Sequence, residues 1–156
     1  MIKQKITIGT VCFLLDEPKK RILLLKRLNE PMKGMYTGVG GKTHFEEDIY
    51  TSCVREVKEE TGFDVKNLKL KGVIKTVLQG QPSSWILFVY TTSTYSGSQI
   101  ICPEGELEWV STDRLNNYNL IGFIREILPN VMNDSPLIEG TIVHNTKGEV
   151  IEKRFN

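Results

Sequence analysis

The sequence has too few cysteines, too widely scattered, to be a disulfide-built or zinc-built protein. Cys12, Cys53 and Cys102 are its only three, odd in number and without any C-x-x-C spacing, which argues against both frameworks. A reducing cytoplasm fits that usage best. An excess of charge is also missing: 20 Lys and Arg stand against 19 Asp and Glu. No overall field would hold the chain on a polyanion such as DNA, so an anionic ligand must be handled locally. Long apolar runs are missing too, and no stretch reaches the length needed to cross a bilayer. The apolar start from Lys5 to Leu15 runs into Asp16 and Glu17 without a small-residue cleavage site, so it reads as a strand rather than a signal peptide. There is no internal repeat, low-complexity segment or interdomain linker. With 156 residues, 40% of them hydrophobic, the chain is long enough to bury a core and is expected to fold as one domain, 1–156.

Residues 5–15 and 21–28 (RILLLKRL) read as two strands of a hairpin, joined by DEPKK, where Pro18 and the charges break the apolar pattern. Lys33 to Lys42 (KGMYTGVGGK) follows, a Gly-rich stretch suited to tight turns and to close approach of backbone to a ligand. From Glu46 to Thr61 the spacing of Ile49, Tyr50, Cys53, Val54 and Val57 predicts an amphipathic helix, with Gly62 as its stop. Strands are expected at 67–78, 84–95 and 106–111. A second helix is expected over 120–132, and a last hairpin over 137–155, turning at 145–148.

The first helix carries the chemistry. At 100° per residue Glu56, Glu59 and Glu60 fall within about a 100° arc, bordering the apolar face rather than opposing it. Like charges at i, i+3 and i+4 repel, and Arg55, four before Glu59, is the one obvious local partner. A glutamate-rich solvated surface is the bland reading. Magnesium explains the cluster better, because it binds oxygen ligands through a few carboxylates together with substrate phosphates.

Gly41 to Phe63 (GKTHFEEDIYTSCVREVKEETGF) resembles the Nudix box, G-x5-E-x7-R-E-U-x-E-E-x-G-U, where U is apolar. Gly41, Glu47, Arg55, Glu56, Val57, Glu59, Glu60, Gly62 and Phe63 fill every specified position. The element order looks most like the MutT-type branch that includes 8-oxo-dGTP diphosphatases. The resemblance implies an α+β protein of Nudix fold, an α/β/α sandwich around a mixed sheet with one helix on each face. It also implies Mg²⁺-dependent hydrolysis of a nucleoside diphosphate linkage, with Mn²⁺ able to substitute, acting on a small nucleotide and on neither nucleic acid nor membrane.

By the same resemblance Glu56, Glu59 and Glu60 are metal ligands, assisted by the carbonyl of Gly40, and Glu59 is the first choice for general base. Glu47 and Arg55 look like the supporting pair that orients the ligands. Of the glutamates before Trp109, Glu104 is chosen by spacing to reach the metal or the attacking water, with Glu106 in reserve. Arg27, Gly41 and Lys42 are the substrate-binding candidates. His44, without a second histidine nearby, is given no role. Tyr36, Trp85, Phe88 and Tyr118 are candidates to stack on a base, although such aromatics are more often core. The NNYNLIGFIREIL segment lacks the adjacent acidic pair that some oxidised-purine hydrolases use; Asn116, Asn117 and Asn119 are the amides that could replace it.

Overall fold

A computed structural model describes residues 3–156. The strands are β1 (Lys5–Asp16), β2 (Arg21–Arg27), β3 (Tyr36–Thr37), β4 (Phe63–Lys66), β5 (Lys69–Leu78), β6 (Ser83–Thr92), β7 (Thr94–Gly97), β8 (Gly105–Ser111), β9 (Ile138–His144) and β10 (Val150–Phe155). The helices are α1 (Ile49–Thr61) and α2 (Gly122–Val131), with a 3-10 turn at Thr112–Asn117. The large sheet has the order β10-β9-β5-β6-β1-β2-β3, and β8 also pairs with β2. It is mixed, because β1 runs parallel to β6 and β5 parallel to β9 while the other pairings are antiparallel.

Alternation along the strands sorts the core into two halves, since successive side chains point to opposite faces. Val11, Phe13, Ile22 and Leu24 pack on one face with Phe123, Ile124, Ile127 and Leu128 of α2. Cys12, Leu14, Leu23 and Leu25 pack on the other with Cys53 and Val57 of α1. The sandwich with one helix on each face is therefore observed.

Three expectations need correction. The hairpin of β1 and β2 holds only at its turn, where Leu15 pairs with Ile22 and Asp16 with Arg21. Beyond that the strands diverge, and the Gly-rich segment enters the opening. Cys12 N–H donates to Val39 O (2.6 Å), Thr10 N–H to Gly41 O (2.9 Å) and Thr43 N–H to Ile8 O (2.9 Å). Secondly, α1 begins at Ile49 rather than Glu46, because the Asp48 carboxylate accepts from Thr51 N–H (2.9 Å) and caps it there. Thirdly, the strand expected at 84–95 is interrupted at Ser93, between β6 and β7, whereas the one expected at 67–78 is observed as β5 from Lys69, preceded by a short β4 that the sequence pattern did not mark. Asn67 turns the chain at φ 54°, and β4 and β7 pair with each other in a separate ribbon.

Candidate active site

The opening between β1 and β2 is the foundation of the site. Gly40 sits there at φ 152°, and a Cβ at this position would collide with the Thr10 carbonyl. A glycine is needed for the loop to lie this close to β1. Immediately after it, Gly41 leaves only 2.7 Å between its would-be Cβ and the Glu56 carboxylate, so α1 presents its acidic edge directly to the loop.

Arg55 organises that edge. Its Nε donates to Glu47 Oε2 (2.7 Å), Nη2 to Glu47 Oε1 (2.9 Å) and to Lys42 O (3.2 Å), and Nη1 to Glu56 Oε1 (3.1 Å) and Glu59 Oε2 (3.2 Å). One guanidinium thus ties the helix to the preceding loop and fixes three carboxylates, a use for which its planar fork is suited. The Arg55 hydrogen bonds hold the Glu47 carboxyl down at about 2, and Glu47 in turn raises the pKa of Arg55.

Glu60 is outside this network. It is 4% exposed, and among the described residues its one hydrogen-bond partner is the N–H of Gly40 at 3.5 Å. Burial foremost, then repulsion from Glu56, pushes its pKa up to about 8, with Glu104 and Glu59 adding to the rise. Burial also raises Glu56, opposed by Arg55.

A cleft of about 750 Å³ joins these groups to the far side of the sheet. Glu56, Glu60, Glu104, Gly40, Gly41, Lys42 and Arg27 line it, so seven of the residues singled out in the sequence are brought together. Arg27 is held at the rim by a bond from Nε to Pro31 O (2.9 Å). Glu47, Arg55 and Glu59 are not among the lining residues, and the Glu59 side chain is 57% exposed. Glu106 lies instead near Tyr36, whose phenol is raised by burial foremost and then by Glu108, with Glu106 the smallest contributor, and Glu108 accepts from the Tyr118 hydroxyl (3.3 Å). His44 is on the surface, with no second histidine beside it, and its backbone N–H donates to Glu47 Oε1 (3.2 Å).

The aromatic candidates separate. Trp85 lines the cleft, whereas Phe88 packs on the α1 side of the sheet. Tyr36 and Tyr118 meet edge to face at 5.0 Å against the α2-side core. The Asn116, Asn117 and Asn119 expectation is corrected: none lines the cleft, and Asn119 serves Tyr36 N–H through its backbone carbonyl. Sequence reasoning missed Thr76, Gln81 and His144, which also line the cleft. They come from strands and a turn remote in sequence, and no local pattern marks them.

The donor set suits a hard divalent cation. Glu60 is a buried carboxylate without a protein cation beside it, Glu104 approaches from across the cleft, and the Thr10 hydroxyl in the same lining is buried without a partner. Among the described residues no group of three or more His, Cys, Asp or Glu side chains is placed to hold a metal ion by itself. An open oxygen site that shares its cation with substrate phosphate and water needs no such group.

The NUDIX domain family profile matches residues 5–131. The chain belongs to the Nudix family. A crystal structure of a MutT protein from Bacillus halodurans is 30% identical, with a TM-score of 0.85, covering 96% of this chain and 97% of that one. The uncharacterized Nudix hydrolase YvcI of Bacillus subtilis is 28% identical over 151 residues, 94% of this chain and 92% of that protein. The ADP-ribose pyrophosphatase of Methanocaldococcus jannaschii is 44% identical over 57 residues, 36% of this chain and 34% of that enzyme. The protein is thus a Nudix hydrolase with the fold of MutT structures, an enzyme acting on nucleoside diphosphate-linked substrates, in a family that generally uses divalent metal ions. The family match ends at residue 131, yet β9 and β10 beyond it belong to the same sheet.

Proposed function

We propose that this Nudix hydrolase cuts nucleoside triphosphates, oxidised ones included, to nucleoside monophosphate and pyrophosphate, with Mg²⁺ as its cation and Mn²⁺ as a substitute. The observation that carries the reading is the cleft. Its acidic end, at Glu56, Glu60 and Glu104, has Lys42 and Arg27 beside it, and its other end is uncharged. That layout suits a ligand with an anionic chain on one side and a neutral ring on the other.

In this reading Glu56, Glu59, Glu60 and Glu104, with the Gly40 backbone, hold the metal. A bound divalent cation neutralises phosphate charge and orients and acidifies water. Lys42 and Arg27 draw in the phosphate chain, and the Gly41 backbone lets it approach. Arg55 with Glu47 keeps the carboxylates in register. Glu59 accepts the proton of the attacking water; Arg55 engages its Oε2 and leaves Oε1 for that task. Glu104 supports it from the opposite side. The whole chain acts as one domain, and its three unpaired, buried thiols suit a reducing cytoplasm.

A second reading is favoured by the likeness of a 57-residue stretch of the chain to an ADP-ribose pyrophosphatase: a dinucleotide or nucleotide sugar as substrate. A non-catalytic nucleotide sensor would keep the cleft but has no need of four carboxylates. The deciding experiment incubates the protein with Mg²⁺ and canonical and oxidised nucleoside triphosphates, dinucleotides and nucleotide sugars, and resolves the products by chromatography. Monophosphate and pyrophosphate from triphosphates uphold the first reading. Preferential cleavage of ADP-ribose selects the second, and no cleavage at all leaves the sensor.

A further inference from the structure

The cleft does not end at the carboxylates, and its distant end is built around one tryptophan. Trp85 on β6 pairs with Thr7 of β1 and Thr76 of β5, and its side chain lies on the α2 face of the sheet. A Cβ on Gly9 would come within 2.7 and 2.9 Å of the Trp85 ring, so the indole rests against bare backbone of β1. The missing side chain is what allows the ring to lie down there. The same point is 2.9 Å from Gly41 O. Gly41 therefore separates the indole on one side from the Glu56 carboxylate on the other.

Trp85 is 37% exposed although it lines a concave site. Trp109, the other tryptophan, shows the contrast: it stacks on Tyr95 at 5.7 Å and donates its N–H to Gln99 (3.1 Å). No hydrogen bond engages the Trp85 indole among the described residues. The same cleft lining carries the uncharged Thr76, Gln81, Ser83, Leu87, Phe123 and His144. The His144 Nε2 accepts from Phe123 N–H (3.2 Å), and burial lowers its pKa, so the ring is uncharged at neutral pH. A flat, seated and partly uncovered aromatic ring in a neutral end of an otherwise charged cleft is a surface for a planar heterocycle.

We propose that Trp85, laid against Gly9, is the platform on which the base of the nucleotide stacks while the phosphates lie across Gly41 toward the carboxylates. This rests on the nucleotide reading above. Stacking of this kind is sequence-tolerant, because every base has a π-face, so Trp85 supplies binding to bases in general. It acts in the ground state and transition state alike, and its loss must show in KM rather than kcat.

The test uses a Trp109→Phe background, in which Trp85 is the only tryptophan, and excess chelator. The four common deoxynucleoside monophosphates are titrated, with ribose 5-phosphate as the base-free comparator. Saturable quenching of the fluorescence by nucleotides, and none by ribose 5-phosphate, supports the platform. Equal quenching by both, or none by any nucleotide, overturns it. Kinetics form the second arm: Trp85→Leu is expected to raise KM for a triphosphate by at least about fivefold with kcat within twofold, and Trp85→Phe to restore KM. A Trp85→Leu enzyme with unchanged KM refutes the platform and leaves the reaction standing. Base-dependent quenching in a protein that cleaves no triphosphate does the reverse.

Discussion

At Glu60, burial, repulsion and function pull in different directions. The side chain is nearly inaccessible, its hydrogen bond from the Gly40 N–H is long, and Arg55 spends its donors on Glu47, Glu56 and Glu59 instead. Such a carboxylate costs stability unless a cation joins it. Glu60→Gln is expected to lower kcat/KM by about a hundredfold or more without lowering the melting temperature in chelator, and to abolish stabilisation by added Mg²⁺. Melting curves with and without Mg²⁺ check this; a variant that still gains from the metal removes Glu60 from the metal site. Glu104→Gln is expected to reduce kcat more than it raises KM, whereas Glu106→Gln, placed by Tyr36 rather than in the cleft, should change either by less than threefold. Harm from Glu106→Gln with none from Glu104→Gln would transfer the role. The pH response belongs to His144, which burial holds below its usual pKa. The unfolded chain protonates this ring near pH 6.5, the folded chain only at lower pH. The unfolded state thus binds more protons in that window. The stability from a neutral His144 is full above about pH 6.5 and is lost as pH falls through the folded value. His144→Gln keeps an acceptor for Phe123 N–H, and it should lose less melting temperature than the wild type between pH 7.5 and 5.5. Equal losses would show that the ring is not held neutral.

Elements were legible where they are locally determined. The α1 periodicity, its Gly62 stop at φ 85°, α2 and the terminal hairpin all follow from spacing within one segment. The start of α1 was not, because the Asp48 side-chain cap sets it and the apolar spacing does not mark that cap. Asp48→Ala removes that cap, and a fall in melting temperature of about 2 °C or more is expected, with kcat/KM within threefold because the carboxylates lie in the later turns. A melting temperature unchanged within error would mean that packing, not the cap, fixes the helix start. The break at Ser93 and the short β4 before Asn67 were invisible for a different reason. Both neighbouring segments are strand-forming, and only the pairing of β4 with β7 separates them from the large sheet. Likewise the apolar pattern of β1 predicts a strand but not that its long partner is β6, reached across more than sixty intervening residues.

The acidic end of the cleft was readable because Gly41 to Phe63 carries Glu56 and Glu60 in one stretch of chain, Glu104 coming from a second segment. The neutral end was not, since Trp85, Gln81, Thr76 and His144 meet only after β5, β6 and β9 have aligned. That difference bears on substrate choice. Discrimination between a normal and an oxidised purine by a factor above about a thousand needs buried groups that are left unpaired by the wrong base. The polar side chains toward that end are Thr76, Gln81, Ser83 and His144. All four are neutral at pH 7, His144 because burial lowers its pKa. They include no acidic pair to read the altered donor pattern of an oxidised purine, and Asn116, Asn117 and Asn119 are elsewhere. Trp85 stacks on either base with similar strength. Nucleoside triphosphates are therefore expected to be cleaved better than nucleotide sugars, and kcat/KM for 8-oxo-dGTP to exceed that for dGTP by much less than about a thousandfold. Side-by-side measurement of the three decides it. A larger ratio would require the neutral end to rearrange around the oxidised base, and a nucleotide sugar outrunning both triphosphates would replace the proposed reaction with the ADP-ribose-like one.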